Sequence, residues 1–201
     1  MRFVITGTDT NIGKTIFCAG LCGLIGAPYW KPVQAGLEGQ TDSDVVAELA
    51  GVPVVPEAYR FKLAASPHQA AAEEDVEIDP DALNPPGGPL VIEGAGGLMV
   101  PLTRTTLVID VFARWRIPLI LCARTRLGTI NHTLLSIEAI RARDIPLVGV
   151  AFIGDANEES EGIITEIGKV KRLGRLPVIE PLTPGRLAGV FSKTFERQDF
   201  A

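Results

Sequence analysis

Two lysines, a threonine and a handful of acidic residues hold most of the chemistry this sequence could perform. The run Gly7-Thr8-Asp9-Thr10-Asn11-Ile12-Gly13-Lys14-Thr15 lies between a short apolar stretch, Phe3–Thr6, and an apolar, glycine-rich stretch, Thr15–Ile25. Strand, loop and helix in that order are what a phosphate loop requires. Successive backbone N–H groups in such a loop form an anion-binding concavity, and the helix N-terminus adds the positive end of its dipole. Gly13 lets the backbone approach the phosphates, Lys14 reaches the β- and γ-phosphates, and the Thr15 hydroxyl is placed to ligate Mg²⁺. The common spacing is G-x-x-x-x-G-K-[ST]. Here Thr8 holds the first glycine's slot and Gly7 comes one residue early. The competing reading is a glycine-rich turn capping a buried helix, and the Gly-Lys-Thr ending favours phosphate.

Magnesium on a nucleotide needs one or two carboxylates besides the phosphate oxygens. Glu93 follows the apolar run Leu90-Val91-Ile92 and precedes Gly94-Ala95-Gly96-Gly97. That places it at a strand's carboxyl end, with glycines that allow close backbone approach to a ligand. In Thr41-Asp42-Ser43-Asp44, capping is the natural role for Asp42, while Asp44 can cap or ligate a metal. Lys31, in Trp30-Lys31-Pro32-Val33, is either a snorkelling surface charge or a fixed cation beside a transferring phosphoryl group. His68 and His132 have no Ser/Asp or Cys/Asp neighbours that would suggest a hydrolytic triad. Arg124 and Arg126 form a small basic cluster, either solvated or facing an anion.

These residues need a frame that brings them together. Short apolar runs at Phe3–Thr6, Tyr29–Pro32, Pro89–Ile92, Pro118–Ala123, Leu147–Ile153 and Leu173–Ile179 alternate with helical patterns. The helices are expected over Thr15–Ile25, Asp42–Ala50, Val108–Trp115, Asn131–Arg143 and Glu159–Lys171. This alternation predicts an α/β fold, a parallel sheet with helices on both faces and ligands at the carboxyl ends of the strands. Nothing divides the chain, so residues 1–201 are expected to form one domain. With 46% hydrophobic and 21% charged residues the chain is globular rather than disordered. Its net charge of -5 argues against nucleic acid as the main partner. Asp9 and Lys14 interrupt any signal-like run, and Ile16–Trp30 is too short and glycine-rich to span a bilayer, so a cytoplasmic protein without a membrane partner is expected. Cys18, Cys22 and Cys122 read as small buried hydrophobes.

Taken together, the motifs resemble those of the dethiobiotin synthetases. The similarity covers the phosphate loop with its displaced glycine, Trp30-Lys31-Pro32-Val33-Gln34-Ala35-Gly36, Thr41-Asp42-Ser43-Asp44 and Ser66-Pro67-His68. It continues through Val91–Leu102 and Leu127-Gly128-Thr129-Ile130-Asn131-His132, in the family's order and up to about residue 135. The resemblance implies a P-loop NTPase-like fold and an ATP- and Mg²⁺-dependent ligase of biotin biosynthesis, closing the ureido ring of dethiobiotin from 7,8-diaminopelargonate and CO₂. It implies Lys14, Lys31 and Thr10 as catalytic residues. It implies nucleotide contacts from Asp9, Thr10, Asn11, Ile12, Gly13, Lys14, Thr15, Glu93, Gly94, Ala95, Gly96, Ile153, Gly154, Pro177 and Val178. Thr15, Asp44 and Glu93 would bind Mg²⁺. Thr10, Lys31, Ala35, Gly128 and Asn131 would contact the substrate, with Asn131 reaching it across a homodimer interface. The chain departs from the family at Ala35, where many relatives carry a hydroxyl that Gln34 could replace, and at Ile153-Gly154-Asp155, where an asparagine often meets the base. The stretch after Pro177 matches weakly.

Two other readings compete, the first of them sharing this fold. Partition and division-site ATPase switches carry an extra lysine early in the phosphate loop, and positions 8–12 hold none. Their membrane-targeting C-terminal helix is not expected either, since Gly185, Gly189 and Phe191 make a poor amphipathic pattern. Amide-forming synthetases need an ammonia source, usually a fused glutaminase domain, for which 201 residues leave no room.

Overall fold

A computed structural model describes residues 1–201. Seven parallel strands form the central sheet. They are β1 (Arg2–Gly7), β2 (Tyr29–Trp30), β4 (Val54–Val55), β6 (Leu90–Gly97), β7 (Leu119–Arg124), β8 (Leu147–Ile153) and β9 (Arg172–Leu176), in the spatial order β4-β2-β6-β1-β7-β8-β9. Two further short strands, β3 (Val33–Ala35) and β5 (Tyr59–Phe61), pair in parallel beside it. β1 and its flanking strands β6 and β7 are buried along most of their length, as expected of central strands covered on both faces of a parallel sheet.

Seven helices complete the chain: α1 (Lys14–Ile25), α2 (Asp42–Ala50), α3 (Pro67–Glu73), α4 (Val108–Trp115), α5 (Thr129–Arg141), α6 (Glu158–Gly168) and α7 (Pro184–Thr194). Two separate apolar cores show that they cover both faces. One joins Phe17 and Cys18 of α1, Val46 of α2 and Leu187 and Phe191 of α7 to one side of the sheet. The other joins Val111 and Phe112 of α4, Ile137 and Ile140 of α5 and Ile164 of α6 to the opposite side. The α/β reading of the sequence therefore holds, as do its bounds for α2, α4 and β8.

The structure corrects the bound of one strand and adds helices beyond those the sequence reading named. β6 does not stop at Ile92: it continues through the glycine run, pairing Ile5 with Glu93 and Gly7 with Gly97. Glu93 thus lies inside a strand. Glycine and alanine have weak strand preference of their own, and pairing with β1 overrides it. The segment around Ser66 forms α3, with Pro67 preset for a first helical turn. The C-terminal stretch forms α7, with Thr183 accepting a hydrogen bond from the Arg186 N–H at its cap. α7 is docked rather than free. Phe191 lies over Gly20 of α1, where a Cβ would come within 2.1 Å of its ring. The Phe191 ring also lies 5.3 Å from Phe17 and 4.4 Å from Phe195, centroid to centroid.

Candidate active site

β1, β6, β7, β8 and β9 all end on one side of the sheet, and the loops after them build the site. After β1 the chain turns through Thr8–Gly13 into α1. Gly13 has φ 94°, a left-handed conformation, and a Cβ there would meet Ile153 Cγ2 at 2.9 Å. Only glycine satisfies both demands. No side chain caps α1, so the N–H groups of its first turn have no protein acceptor and remain available to an anion. Asp9 holds the loop in shape: one carboxylate oxygen accepts from the Thr10 N–H at 2.7 Å and the other from Arg124 at 3.0 Å. Arg124 also donates to the Thr10 carbonyl at 3.2 Å.

Lys14 is almost fully buried, and its ammonium donates to the Asp9 carbonyl at 3.0 Å. Burial pulls its pKa below the ordinary lysine value, with the Glu93 charge acting in the opposite direction. The next residue, Thr15, points its hydroxyl at two carboxylates, Asp42 Oδ1 at 2.8 Å and Glu93 Oε1 at 3.0 Å. A hydroxyl has one proton and can satisfy only one of them at a time. Thr15 Oγ1, Asp42 Oδ1 and Glu93 Oε1 therefore converge on one place, and a set of such oxygens fits a hard divalent cation. No group of three or more His, Cys, Asp or Glu could hold a metal by itself. An ion here would need further oxygens from a nucleotide, which suits magnesium's habit of taking one or two carboxylates plus phosphates.

Lys31 is also buried, and its ammonium bridges the same two carboxylates, donating to Asp42 Oδ2 and, at 3.3 Å, to the Glu93 Oε1 that also faces Thr15. Burial disfavours its charge, but Glu93 and Asp42 outweigh that and push its pKa up to about 12. Burial likewise works against the Asp42 anion, and Lys31 more than compensates, holding its pKa below the usual range. The Tyr29 hydroxyl donates to Glu93 Oε2 at 2.8 Å, and burial together with the Glu93 charge keeps the phenol protonated. The cluster Lys14, Lys31, Asp42 and Glu93 carries balanced charge, so its lysines sit buried without an uncompensated cation.

The structure reverses the expectation for the two aspartates. Asp44 turns away from the site: its carboxylate accepts from the Thr41 N–H at 2.9 Å and from the Thr41 hydroxyl, closing a capping box at the start of α2. Those hydrogen bonds lower its pKa. Asp42, at the first helical position, takes the place expected for Asp44. The two are half a turn apart on a helix, so only one of them can face the loop. Sequence spacing does not say which.

The phosphate loop separates two clefts. On one side Asn11, Ile12 and Gly13 border a recess formed by Arg124, Ile153, Gly154, Asp155, Pro177, Val178 and neighbouring residues. On the other side the same three loop residues, with Thr10, Lys14 and Thr15, face Lys31, Asp42, Glu93, Ala35, Ala95 and Gly96. Ser66 also lines this second cleft. Its hydroxyl is hydrogen-bonded to His68 Nδ1 at 3.0 Å and to Gln69 Oε1 at 2.8 Å. Gly94 faces the core instead, where a Cβ would touch Phe112 at 2.7 Å. Gly128 and Asn131 are exposed and line neither cleft of the single chain. Sequence reasoning did not place Asp42 or Tyr29 beside the loop, and it left Arg124 open between solvent and an anion. The basic cluster after β7 was the one available signal for Arg124.

Comparison with known proteins gives the chain its relatives. An AAA-domain family model matches residues 1–186. The ATP-dependent dethiobiotin synthetase BioD of Sphingopyxis alaskensis is 61% identical over 199 residues, covering 99% of this chain and 98% of that protein. The enzyme of the same name from Brucella ovis is 58% identical over 205 residues, covering 100% and 97%. The match includes the C-terminal stretch. Among solved structures, a ParA family ATPase from Chlorobium tepidum has a TM-score of 0.61 at 11% identity, covering 100% of this chain and 97% of its own. The cell division ATPase MinD of Pyrococcus furiosus has a TM-score of 0.58 at 12% identity, covering 100% and 99%. At such low identity these two structures speak for the fold alone.

Proposed function

The chain belongs to the ATP-dependent dethiobiotin synthetases, ligases of biotin biosynthesis, and we propose how its residues divide the work of the reaction. The observation that carries the proposal is the cluster of buried Lys14, Lys31 and Glu93 with half-buried Thr15 and Asp42, at the junction of the two clefts. ATP lies across the phosphate loop, with its base in the recess near Ile153, Gly154, Pro177 and Val178 and its γ-phosphate at the cluster. Asn11, Ile12 and Gly13 border both clefts, so a nucleotide crossing them meets loop N–H groups throughout.

Thr15, Asp42 and Glu93 would hold Mg²⁺, with Asp42 replacing Asp44 in the ligand set that the family resemblance implies. When bound, the ion neutralises charge on the β- and γ-phosphate oxygens. The diamine occupies the second cleft. One of its amines takes up CO₂ as a carbamate, and a carbamate oxygen attacks the γ-phosphorus and expels ADP. The second amine then attacks the carbonyl carbon of the carbamic–phosphoric anhydride, closing the ring and expelling phosphate. No protein nucleophile takes part, so the protein contributes position and charge. Lys31 remains a cation across the physiological range and stabilises the carbamate and the anhydride. Lys14 and Thr10 face the phosphoryl group in transfer.

Asn131 and Gly128 would reach the substrate of a second subunit. Exposed Leu127, Ile130 and Leu135 flank Asn131, and an apolar surface around a polar residue suits a homodimer interface. No helix is long and apolar enough to cross a membrane; the proposed location is the cytoplasm.

The test is phosphate release from ATP and Mg²⁺, with and without diaminopelargonate and bicarbonate, followed by mass spectrometry of the product. Diamine-dependent ADP formation with one carbonyl added is expected. ATP hydrolysis indifferent to the diamine would overturn the proposal and point to a switch ATPase.

A further inference from the structure

One polar atom beside the substrate cleft is unused by the mechanism above. Gln34, on β3, is buried and lines the cleft next to Ala35. Its Nε2 donates to the carbonyls of Ala35 at 3.1 Å and Gly36 at 3.4 Å. Those two bonds fix the amide's orientation, because the reverse would set its oxygen against two carbonyl oxygens. Oε1 is left buried with no hydrogen-bond partner, an arrangement native proteins seldom leave unexplained.

No donor of the cleft is bonded to this oxygen. Lys14 is bonded to Asp9, Lys31 to Asp42 and Glu93, and Thr15 to the same two carboxylates. Phosphate, CO₂ and carbamate oxygens are acceptors and cannot satisfy an acceptor. The donors the reaction brings to this cleft are the N–H groups of the diamine. We propose that Gln34 Oε1 accepts a hydrogen bond from an amine of the substrate and selects a diamine at this position. This assignment rests on the reading of the second cleft as the diamine site.

The neutrality of the amide suits the chemistry. An amine must keep its lone pair to attack CO₂ or the anhydride. A carboxylate at this position would raise the amine's pKa and hold it as an unreactive ammonium. A carboxamide accepts the N–H without that penalty. Ala35 beside it offers only a methyl group, so the contact falls to Gln34.

Gln34→Met keeps the volume and removes the acceptor. It is expected to raise the KM for the diamine about tenfold or more, the loss of a hydrogen bond to a polar substrate group, while the KM for ATP changes less than about twofold. The rise in melting temperature caused by the diamine should shrink in the variant, and the rise caused by Mg²⁺-ATP should remain. An unchanged diamine KM, or equal increases in both KM values, would overturn the inference. Gln34→Glu is the second variant and does not depend on how Gln34→Met folds. Its acid limb in the pH profile of kcat should move to higher pH, because the carboxylate stabilises the substrate ammonium. An unmoved profile counts against the assignment. Wild-type protein whose ATP turnover ignores the diamine would instead overturn the proposed use of the cleft.

Discussion

Lys14 and Lys31 are two buried cations with different partners, and the difference separates their roles. Lys14 touches only a backbone carbonyl, so it is free to turn to phosphate. Lys31 is held between two carboxylates. Lys14→Ala is expected to remove a charge-assisted contact worth roughly 1.5–3 kcal/mol to the phosphates and to abolish turnover, with ATP affinity lost in a binding titration. Lys31→Ala should bind ATP and fail in the chemical step, which single-turnover kinetics will show as a lost phosphoryl transfer. The paired aspartates give a second contrast. Asp42→Asn should raise the Mg²⁺ concentration needed for half-maximal rate. Asp44→Asn should leave that concentration unchanged and lower only thermal stability, because its carboxylate closes the α2 capping box. The reverse outcome would return the metal to Asp44.

At the scale of elements, caps and packing decide where each segment ends. Asp110 closes the start of α4 by accepting from the Leu107 N–H at 3.0 Å, and its other oxygen accepts from Arg143 at 2.8 Å, beyond the end of α5. Partial desolvation works against the Asp110 anion, but those bonds prevail and lower its pKa from 3.8. A carboxyl whose folded pKa is depressed contributes stability above its unfolded value, and that contribution is lost as pH falls through the folded value. Asp110→Asn should therefore be less stable than wild type near neutral pH, by a modest amount because the pair is partly exposed. In urea unfolding the difference should close as pH falls below 3.8. A gap that persists at low pH would mean that packing, not charge, ties α4 to α5. α7 shows the limit of pattern reading. Its glycines weaken the amphipathic pattern, yet Leu187 and Phe191 are buried against α1, because Gly20 leaves room for the Phe191 ring.

At the scale of the whole molecule, the sheet order brings β6 and β7 to either side of β1, so the loops after all three strands meet above one point. This is how Glu93 and Arg124 reach residues of the loop and its helix start encoded 78 and 115 positions earlier. The proposed dimer belongs to this scale too. Leu135 is exposed on α5, four residues after Asn131, and therefore on the same helix face. Leu135→Glu should shift the protein from dimer to monomer in light scattering and raise the KM for the diamine. A wild-type monomer with full activity would refute the shared site.

The amino-acid sequence by itself determined the alternation of strands and helices, the phosphate loop and Glu93 at the carboxyl end of an apolar run, and it left Lys31 open between the surface and the site. These follow from local causes: apolar runs of strand length, a glycine beside a lysine and a threonine, and acidic or basic residues after strands. Only the tertiary structure decided which aspartate faces the loop, because Asp42 and Asp44 share one helical turn and their directions depend on how α2 docks on α1 and β2. It also decided the length of β6, since the glycine run is extended only by pairing with β1. The partners of Lys31 and the orphaned oxygen of Gln34 were equally out of reach, because each depends on groups contributed by separate elements or on an orientation fixed by the local backbone. Residue type and spacing announce a chemistry; the docking of elements chooses the atoms that carry it.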